Sequence, residues 1–326
     1  MDSRTLGRAV LLVALFATNA TSQGDSTRAA RARLEFAVPP ASPKERVRWV
    51  GDCDAALEEA RRRNVPVVAI LSDDQSSGFT TVSAAVYAKP KFAAFSRKCV
   101  LLIAFGGEAH ASKLRQSGAG SSAREEKWCG LFDVSCADHQ RSHERVLRAY
   151  AMREYWNPLQ VFLEPEGPDG IERGRVEGHK TTQERLDEEF ALVAEPMGPG
   201  LDFETYRELL VRLRALVDQR EKKGHAVAYG ELGKLEVAEE RGTKDPSLPR
   251  PLRTAAMTAF VGELRRALLA EGDGLLEDAA VLARNGDPNG ARKAYSAIEK
   301  SFRALDPGKK AAAALVSLPP QEPQKK

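Results

Sequence analysis

Aromatic side chains are scarce in this sequence, at 6% of 326 residues. That thins out the stacking platforms on which single-stranded nucleic acids bind. A large basic excess is also missing: 49 Lys and Arg stand against 46 Asp and Glu, a net charge of +3. Such a balance argues against a polyanionic partner, so no nucleic acid is expected. The 4 cysteines are too few for a disulfide-dense scaffold. Glycine-rich phosphate loops, the Gly-x-Ser-x-Gly turn and His-Glu-x-x-His are absent, so the motifs give no cofactor. What is present suffices for a sizeable core: 42% of residues are hydrophobic, and the length fits two domains.

The N-terminus sets the expected compartment. Arg4 and Arg8 precede the apolar run Ala9–Ala17, and small and polar residues follow to Ser22. That is the pattern of a secretory signal peptide over residues 1–22. The run is far short of the ~20 apolar residues of a permanent membrane helix, and no other stretch approaches that length. The mature chain is therefore expected to be exported, periplasmic or secreted, off the membrane, and able to keep disulfides.

Residues 23–47 read as a linker, with one short strand at Leu34–Val38. Beyond Trp49 come a helix at Cys53–Arg63 capped by Asp52, a buried-strand run at Val65–Leu71 and helix at Thr80–Ser96 interrupted by Pro90. A second apolar strand, Val100–Phe105, leads into an exposed insertion at about 106–135, Gly- and Ser-rich to residue 127. Ser135-Cys136-Ala137-Asp138 fits a capping box opening a helix to Tyr150. Strands at Leu159–Leu163 and Ile171–Val176 and a helix at Thr181–Val193 close an α/β sandwich over residues 48–195.

The strand signal then stops. Phe203, Tyr206, Leu210, Leu213 and Val217 form one helical stripe behind the N-cap Asp202. Further helices are expected at 226–240, 252–270, 275–285 and 288–305, giving an all-α domain over 201–306. Asn285-Gly286-Asp287-Pro288 stops one helix and starts the next, and the hairpin is similar to a tetratricopeptide unit, though no second copy follows. Residues 317–326 read as a disordered tail.

The α/β half resembles the thioredoxin fold, particularly exported thioredoxin-like proteins. Carrying the resemblance are Trp49, Ala55-Ala56-Leu57 with Ala60, Pro66–Leu71, Val100–Phe105 and Pro158–Gly167 leading to Gly178. It implies a cis-proline at Pro158, beside a groove of peptide size. Members that exchange disulfides carry Cys-x-x-Cys after the first core strand, at a helix N-terminus that lowers the thiol pKa. Here those positions fall near Ser76 and Phe79, so the ordinary dithiol is missing.

Other chemistry is sought at Cys129 and Cys136, which bracket a short loop. They read as a structural disulfide, or as a relocated redox pair with Cys136 at a helix start. Cys136, His139 and His143 also share a helix face, a spacing from which a metal ion such as zinc is one further reading. Cys53 and Cys99 are open to pairing or to burial as thiols. Asp73-Asp74 reads as a helix cap, Arg61-Arg62-Arg63 and Glu221-Lys222-Lys223 as solvated faces, and His110, His179 and His225 as incidental. The function expected is a non-catalytic, exported, thioredoxin-like binding platform for a protein or peptide, with thiol–disulfide exchange by Cys129 and Cys136 as the alternative.

Overall fold

A computed structural model describes residues 28, 30–43, 45–73, 77–107, 112–117, 124–152, 154–240 and 255–319. The expected signal peptide, Asp74, Ser76, His110 and residues 320–326 of the tail lie outside the described residues. The chain divides into two compact units, one built on residues 39–208, the other on 209–252 and 258–326 together with the residues before 39.

The first unit is layered around a five-stranded mixed sheet in the order β1-β3-β2-β6-β7. The strands are β1 (Trp49–Val50), β2 (Val67–Ser72), β3 (Val100–Phe105), β6 (Leu159–Glu164) and β7 (Ile171–Glu177). β1, β3 and β2 run parallel, whereas β6 is antiparallel to β2 and β7 antiparallel to β6. Every residue of β2 and β3 is buried, as expected of central parallel strands whose apolar runs do not alternate. Alternate side chains divide between two cores. Val68, Ile70, Leu101, Ile103 and Phe162 pack on one face with Phe92 and Phe95. Val67, Ala69, Leu71, Leu102, Val161 and Leu163 pack on the other with Ala56, Leu57 and Ala60.

Helix α1 (Cys53–Arg63) connects β1 to β2; Asp52 accepts its capping bond from the Ala55 amide at 2.8 Å. It ends at Asn64, which is left-handed (φ 54°). Arg63, expected on a solvated face, is fully buried (0% exposed). Its guanidinium donates to Glu59 at 2.8 Å and to the carbonyls of Cys99, Arg97 and Leu201 at 3.0, 2.5 and 3.1 Å. The helical stretch between β2 and β3 breaks as Pro90 predicts: α2 (Ser77–Val82), a π-helical turn (Ser83–Tyr87), then α3 (Pro90–Lys98).

The Gly- and Ser-rich insertion is not featureless. Its described residues form a separate antiparallel hairpin, β4 (Ser112–Ser117) with β5 (Arg124–Cys129). Helix α4 (Cys136–Ala149) follows, but Ser135 makes no side-chain cap; its hydroxyl donates to Glu126 instead, so the expected capping box does not form. Helix α5 (Gln183–Met197), capped by Thr182, completes the unit.

Four long or medium helices dominate the second part of the chain. They are α6 (Phe203–Lys223), α7 (His225–Glu240), α8 (Ala255–Arg284) and α9 (Pro288–Phe302), with a further helix, α10 (Asp306–Ser317), where none was expected. The predicted stripe Phe203, Tyr206, Leu210, Leu213 and Val217 is buried throughout. The two helices expected at 252–270 and 275–285 are one, running unbroken through Gly272 and Gly274. Gly272 has a packing role: a Cβ there would lie 2.6 Å from the Phe302 ring. Asp287 caps α9 from the Gly290 amide at 2.8 Å, after Gly286 at φ 79°, as the turn sequence predicts.

Leu34–Val38 is not a strand. Residues 30–34 are helical, Leu34 is completely buried, and Phe36 meets Phe260 edge-on at 5.2 Å. Arg31 pairs with Glu271 at 3.1 Å, a buried carboxylate that also faces Arg220 at 3.4 Å and His225 at 3.1 Å. Burial opposes the charge of Glu271, but His225, Arg220 and Arg31 outweigh it and hold the carboxyl below its usual range.

Candidate functional site

The carboxyl ends of parallel strands are where open α/β sheets place ligands, because loops there converge on a crevice between diverging connections. Here β2 ends at Ser72-Asp73 and β3 at Phe105-Gly106, tied by the Gly106 amide donating to the Ser72 carbonyl at 2.9 Å. The Ser72 hydroxyl donates to the Asn157 side-chain oxygen at 2.8 Å, fixing the approach to β6. The Asn157–Pro158 peptide is cis. Gly178 packs directly on it: a Cβ on Gly178 would lie 2.6 Å from the Asn157 carbonyl oxygen.

A chain of polar side chains crosses this end. The Tyr155 hydroxyl donates to Asp73 Oδ1 at 3.1 Å and lies 2.9 Å from His143 Nε2. His143 is 3.7 Å from the same carboxylate, and its ring lies so close over Gly106 that a Cβ there would be 2.5 Å from Cε1. Asp73 accepts a hydrogen bond from Tyr155 at the sheet end; residues 74–76, where the expected helix-capping contacts of Asp73 would fall, lie outside the described residues. Burial lowers the His143 pKa below its ordinary 6.5, although Asp73 and Glu144 pull it up. Burial also raises the Tyr155 hydroxyl, and Asp73 raises it further.

The sign for stability follows. The unfolded imidazole takes up its proton near pH 6.5, the folded one only at lower pH, so the contribution is complete above 6.5 and is lost as pH falls through the folded value. We expect the melting temperature to decline on acidification from pH 7 to 5, with a slope from this group of at most about 1.4 kcal/mol per pH unit. His143→Gln should flatten that slope; an unchanged profile in thermal melts would refute the assignment.

Phe79, near which the sequence resemblance leads one to expect a second cysteine, belongs to an aromatic cluster. Its ring lies 5.9 Å from Tyr87, 5.6 Å from Phe105 and 5.8 Å from Phe132. Behind it, Gln160 donates to the buried Tyr87 hydroxyl and accepts from Thr181 at 2.8 Å, so the polar atoms beneath the cluster are satisfied.

The cysteines are elsewhere, and all four are buried thiols. Cys53 packs in one core and Cys99 in the other, on opposite sheet faces. Burial pushes Cys53 up to about 11 and Cys99 up to about 12. Cys129 and Cys136 share one core with Phe132 and Val134. Their loop is closed by backbone bonds, Cys129 amide to Val134 carbonyl at 2.7 Å and Asp133 amide to Cys129 carbonyl at 3.0 Å. Both thiols are raised by burial; at Cys136 the neighbouring Cys129 and Glu126 add to the effect, which outweighs Lys127.

Nor do Cys136, His139 and His143 converge. His139 is fully buried with Nδ1 2.8 Å from the Phe105 carbonyl, closing the end of β3, while His143 turns to Tyr155. Among the described residues no group of three His, Cys, Asp or Glu side chains is placed to hold a metal. His179 and His225, read as incidental, have defined partners: Trp156 at 5.7 Å, and Glu271 with Ser301.

No motif marks Tyr155 or Trp156. The available signal was two aromatics directly before Asn157-Pro158 in a chain poor in aromatics. Trp156 is 68% exposed.

The described residues thus form a mixed sheet with flanking helices, followed by a helical region. No known protein family matches the chain, and no curated protein does. A solved structure titled "DsbH Oxidoreductase" is similar at a TM-score of 0.32 and 10% identity, covering 51% of this chain and 98% of that one.

Proposed function

We propose that residues 48–195 are a thioredoxin-like domain without its dithiol, acting in an exported protein as a binding platform for a protein or peptide. The sheet order β1-β3-β2-β6-β7, with a cis-proline at the start of β6, supports the fold assignment. The observation that carries the functional reading is Phe79. Where thiol exchange would need a second sulfur, a phenyl ring fills the space against Tyr87, Phe105 and Phe132. The four thiols that do exist are buried and shifted away from thiolate, which is the nucleophilic form.

Thiol titration of the mature protein in glutathione buffers tests this. We expect no exchange at Cys129 or Cys136 on the timescale of catalytic dithiols, and no turnover of a disulfide substrate. A reversible pair with a potential of about −120 to −270 mV, the range of known exchange proteins, together with rapid alkylation of Cys136, would establish an oxidoreductase instead.

A further inference from the structure

The helical unit holds a polar constellation of its own, independent of the platform reading. Ser301 on α9, His225 at the start of α7 and Glu271 on α8 form a continuous hydrogen-bonded chain. Ser301 Oγ lies 2.9 Å from His225 Nδ1, and His225 Nε2 lies 3.1 Å from Glu271 Oε2. Arg31, 3.1 Å from Oε1, and Arg220, 3.4 Å from Oε2, favour the charged form of that carboxylate. A carboxylate only accepts, so the proton of a neutral imidazole sits on Nε2. Nδ1 is then a bare acceptor, and the Ser301 hydroxyl donates to it. The His225 ring stacks on Phe302 at 4.2 Å, with planes at 18°. Gly224, at φ 93°, lets the start of α7 close on Ser301: a Cβ there would lie 3.0 Å from the Ser301 carbonyl oxygen.

Ser301 also lines an apolar groove of about 320 Å³ between α8 and α9, walled by Leu275, Ala279, Leu282, Ile298 and Phe302, with Asp278 as a charged neighbour. An apolar recess beside a hydroxyl bonded to an oriented imidazole suits an acyl chain whose carbonyl meets the hydroxyl. We infer that Ser301, His225 and Glu271 hydrolyse a carboxylic ester whose acyl chain lies in this groove. Ser301 Oγ bonds to the ester carbonyl carbon as its proton passes to His225 Nδ1. The bond to the alcohol oxygen then breaks, and that oxygen takes the proton from Nδ1 as the alcohol leaves. Water, deprotonated by Nδ1, attacks the acyl-serine; the acid departs and Ser301 recovers its proton. The two ring nitrogens exchange the roles they have in the serine-protease triad, which leaves the proton count unchanged. Ser301 and His225 are the catalytic residues. Glu271 is a positioning residue that stays ionised and steadies the imidazolium. The His225 amide, donating to Oγ at 3.2 Å from the start of α7, favours negative charge developing there.

The test uses the full mature protein with a fluorophosphonate, which bonds to activated serines with loss of fluoride, and with p-nitrophenyl esters. We expect stoichiometric phosphonylation, mapped to Ser301 by mass spectrometry, and hydrolysis of the hexanoate ester. The kcat/KM for the hexanoate should exceed that for the acetate by at least about tenfold, through burial of the added methylenes. Ala297→Leu, at an exposed position lining the groove, should cut that preference below about threefold. Ser301→Ala and His225→Gln should each lower turnover at least about a hundredfold. Glu271→Gln should slow turnover and also move the midpoint of the pH–rate profile to lower pH, because the imidazolium loses its counter-charge. A merely structural carboxylate would leave that midpoint in place.

Wild-type protein that takes up no phosphonyl group overturns the proposal without any variant, and so does modification at another residue instead. Hydrolysis that survives Ser301→Ala overturns it too, as does equal cleavage of acetate and hexanoate. Circular dichroism reports the folding of each variant, and the wild-type labelling result stands whether or not the variants fold. The platform reading fails separately, by disulfide turnover, whatever the outcome at Ser301.

Discussion

Replacing Arg63 with methionine should lower the melting temperature of the α/β unit by about 10 °C. The side chain is buried at 0% exposure and satisfies the carbonyls of Cys99, Arg97 and Leu201 besides Glu59. Methionine fills much of the volume but donates nothing, leaving three buried carbonyls without that donor. Each orphaned buried group costs about 1–3 kcal/mol, so a total near 3–5 kcal/mol is expected. Glu59 softens the loss, because Arg48 also grips it with two bonds, at 2.7 and 2.6 Å. For a unit of this size 1 kcal/mol moves the transition by about 2–4 °C. Arg63→Lys should recover only part of the loss, since one ammonium cannot reproduce the planar fork. A shift of less than about 2 °C for Arg63→Met, by circular dichroism melts, would show that the network contributes little.

Gly178→Ala should be the most damaging single-methyl addition at the candidate site. The new Cβ would stand 2.6 Å from the Asn157 oxygen, 2.8 Å from its carbon and 2.9 Å from the Pro158 nitrogen. All three are backbone atoms, so no side-chain rotation relieves the overlap, and the loop carrying Tyr155 and Trp156 must move. Overpacking of this kind costs about 1–3 kcal/mol. The expected result is a destabilised protein in which resonances of Tyr155, Trp156 and His143 shift together. Gly167→Ala is the contrast. There φ is 70° but nothing lies within 4 Å, so only the left-handed backbone penalty of about 1 kcal/mol applies. If the two variants melt alike and Trp156 keeps its environment, the close approach at Gly178 is not what holds that loop.

Much of the α/β architecture was readable because its central strands are short apolar runs without alternation, punctuated by Pro66, Gly106 and Pro158. The cis bond at Pro158 is what the thioredoxin resemblance implies, whereas the order of strands within the sheet is set by long-range pairing that the sequence does not announce. What misled were features whose burial depends on partners far away in sequence. Arg63 looks like the last member of a solvent-facing basic run, and only the carbonyls of residues 97, 99 and 201 draw it inside. Gly272 looks like a helix breaker until Phe302 arrives against it. His139 and His143 share a helix face, as their spacing demands, yet one turns to a strand carbonyl and the other to a tyrosine. The Asp73–Tyr155–His143 chain joins residues from three separate segments, and no local pattern announces it.

The docking of residues 30–36 against Phe260 and Glu271 bears on the order in which the chain can finish folding. The strands and helices of the sheet unit lie within residues 39–208, a nearly continuous stretch, so that unit can close before the rest of the chain is complete. The helical unit cannot. Its first element meets partners 240 positions further on, and the contact from Arg31 to Glu271 closes one of the longest loops in the molecule. Loop closure of that length carries an entropy cost that only a largely assembled helical scaffold can offset. During synthesis, Ala30, Leu34 and Phe36 therefore stay without their native cover until the last third of the protein has emerged. A small apolar segment near the start of the described chain thus remains uncovered for most of the time the protein takes to assemble.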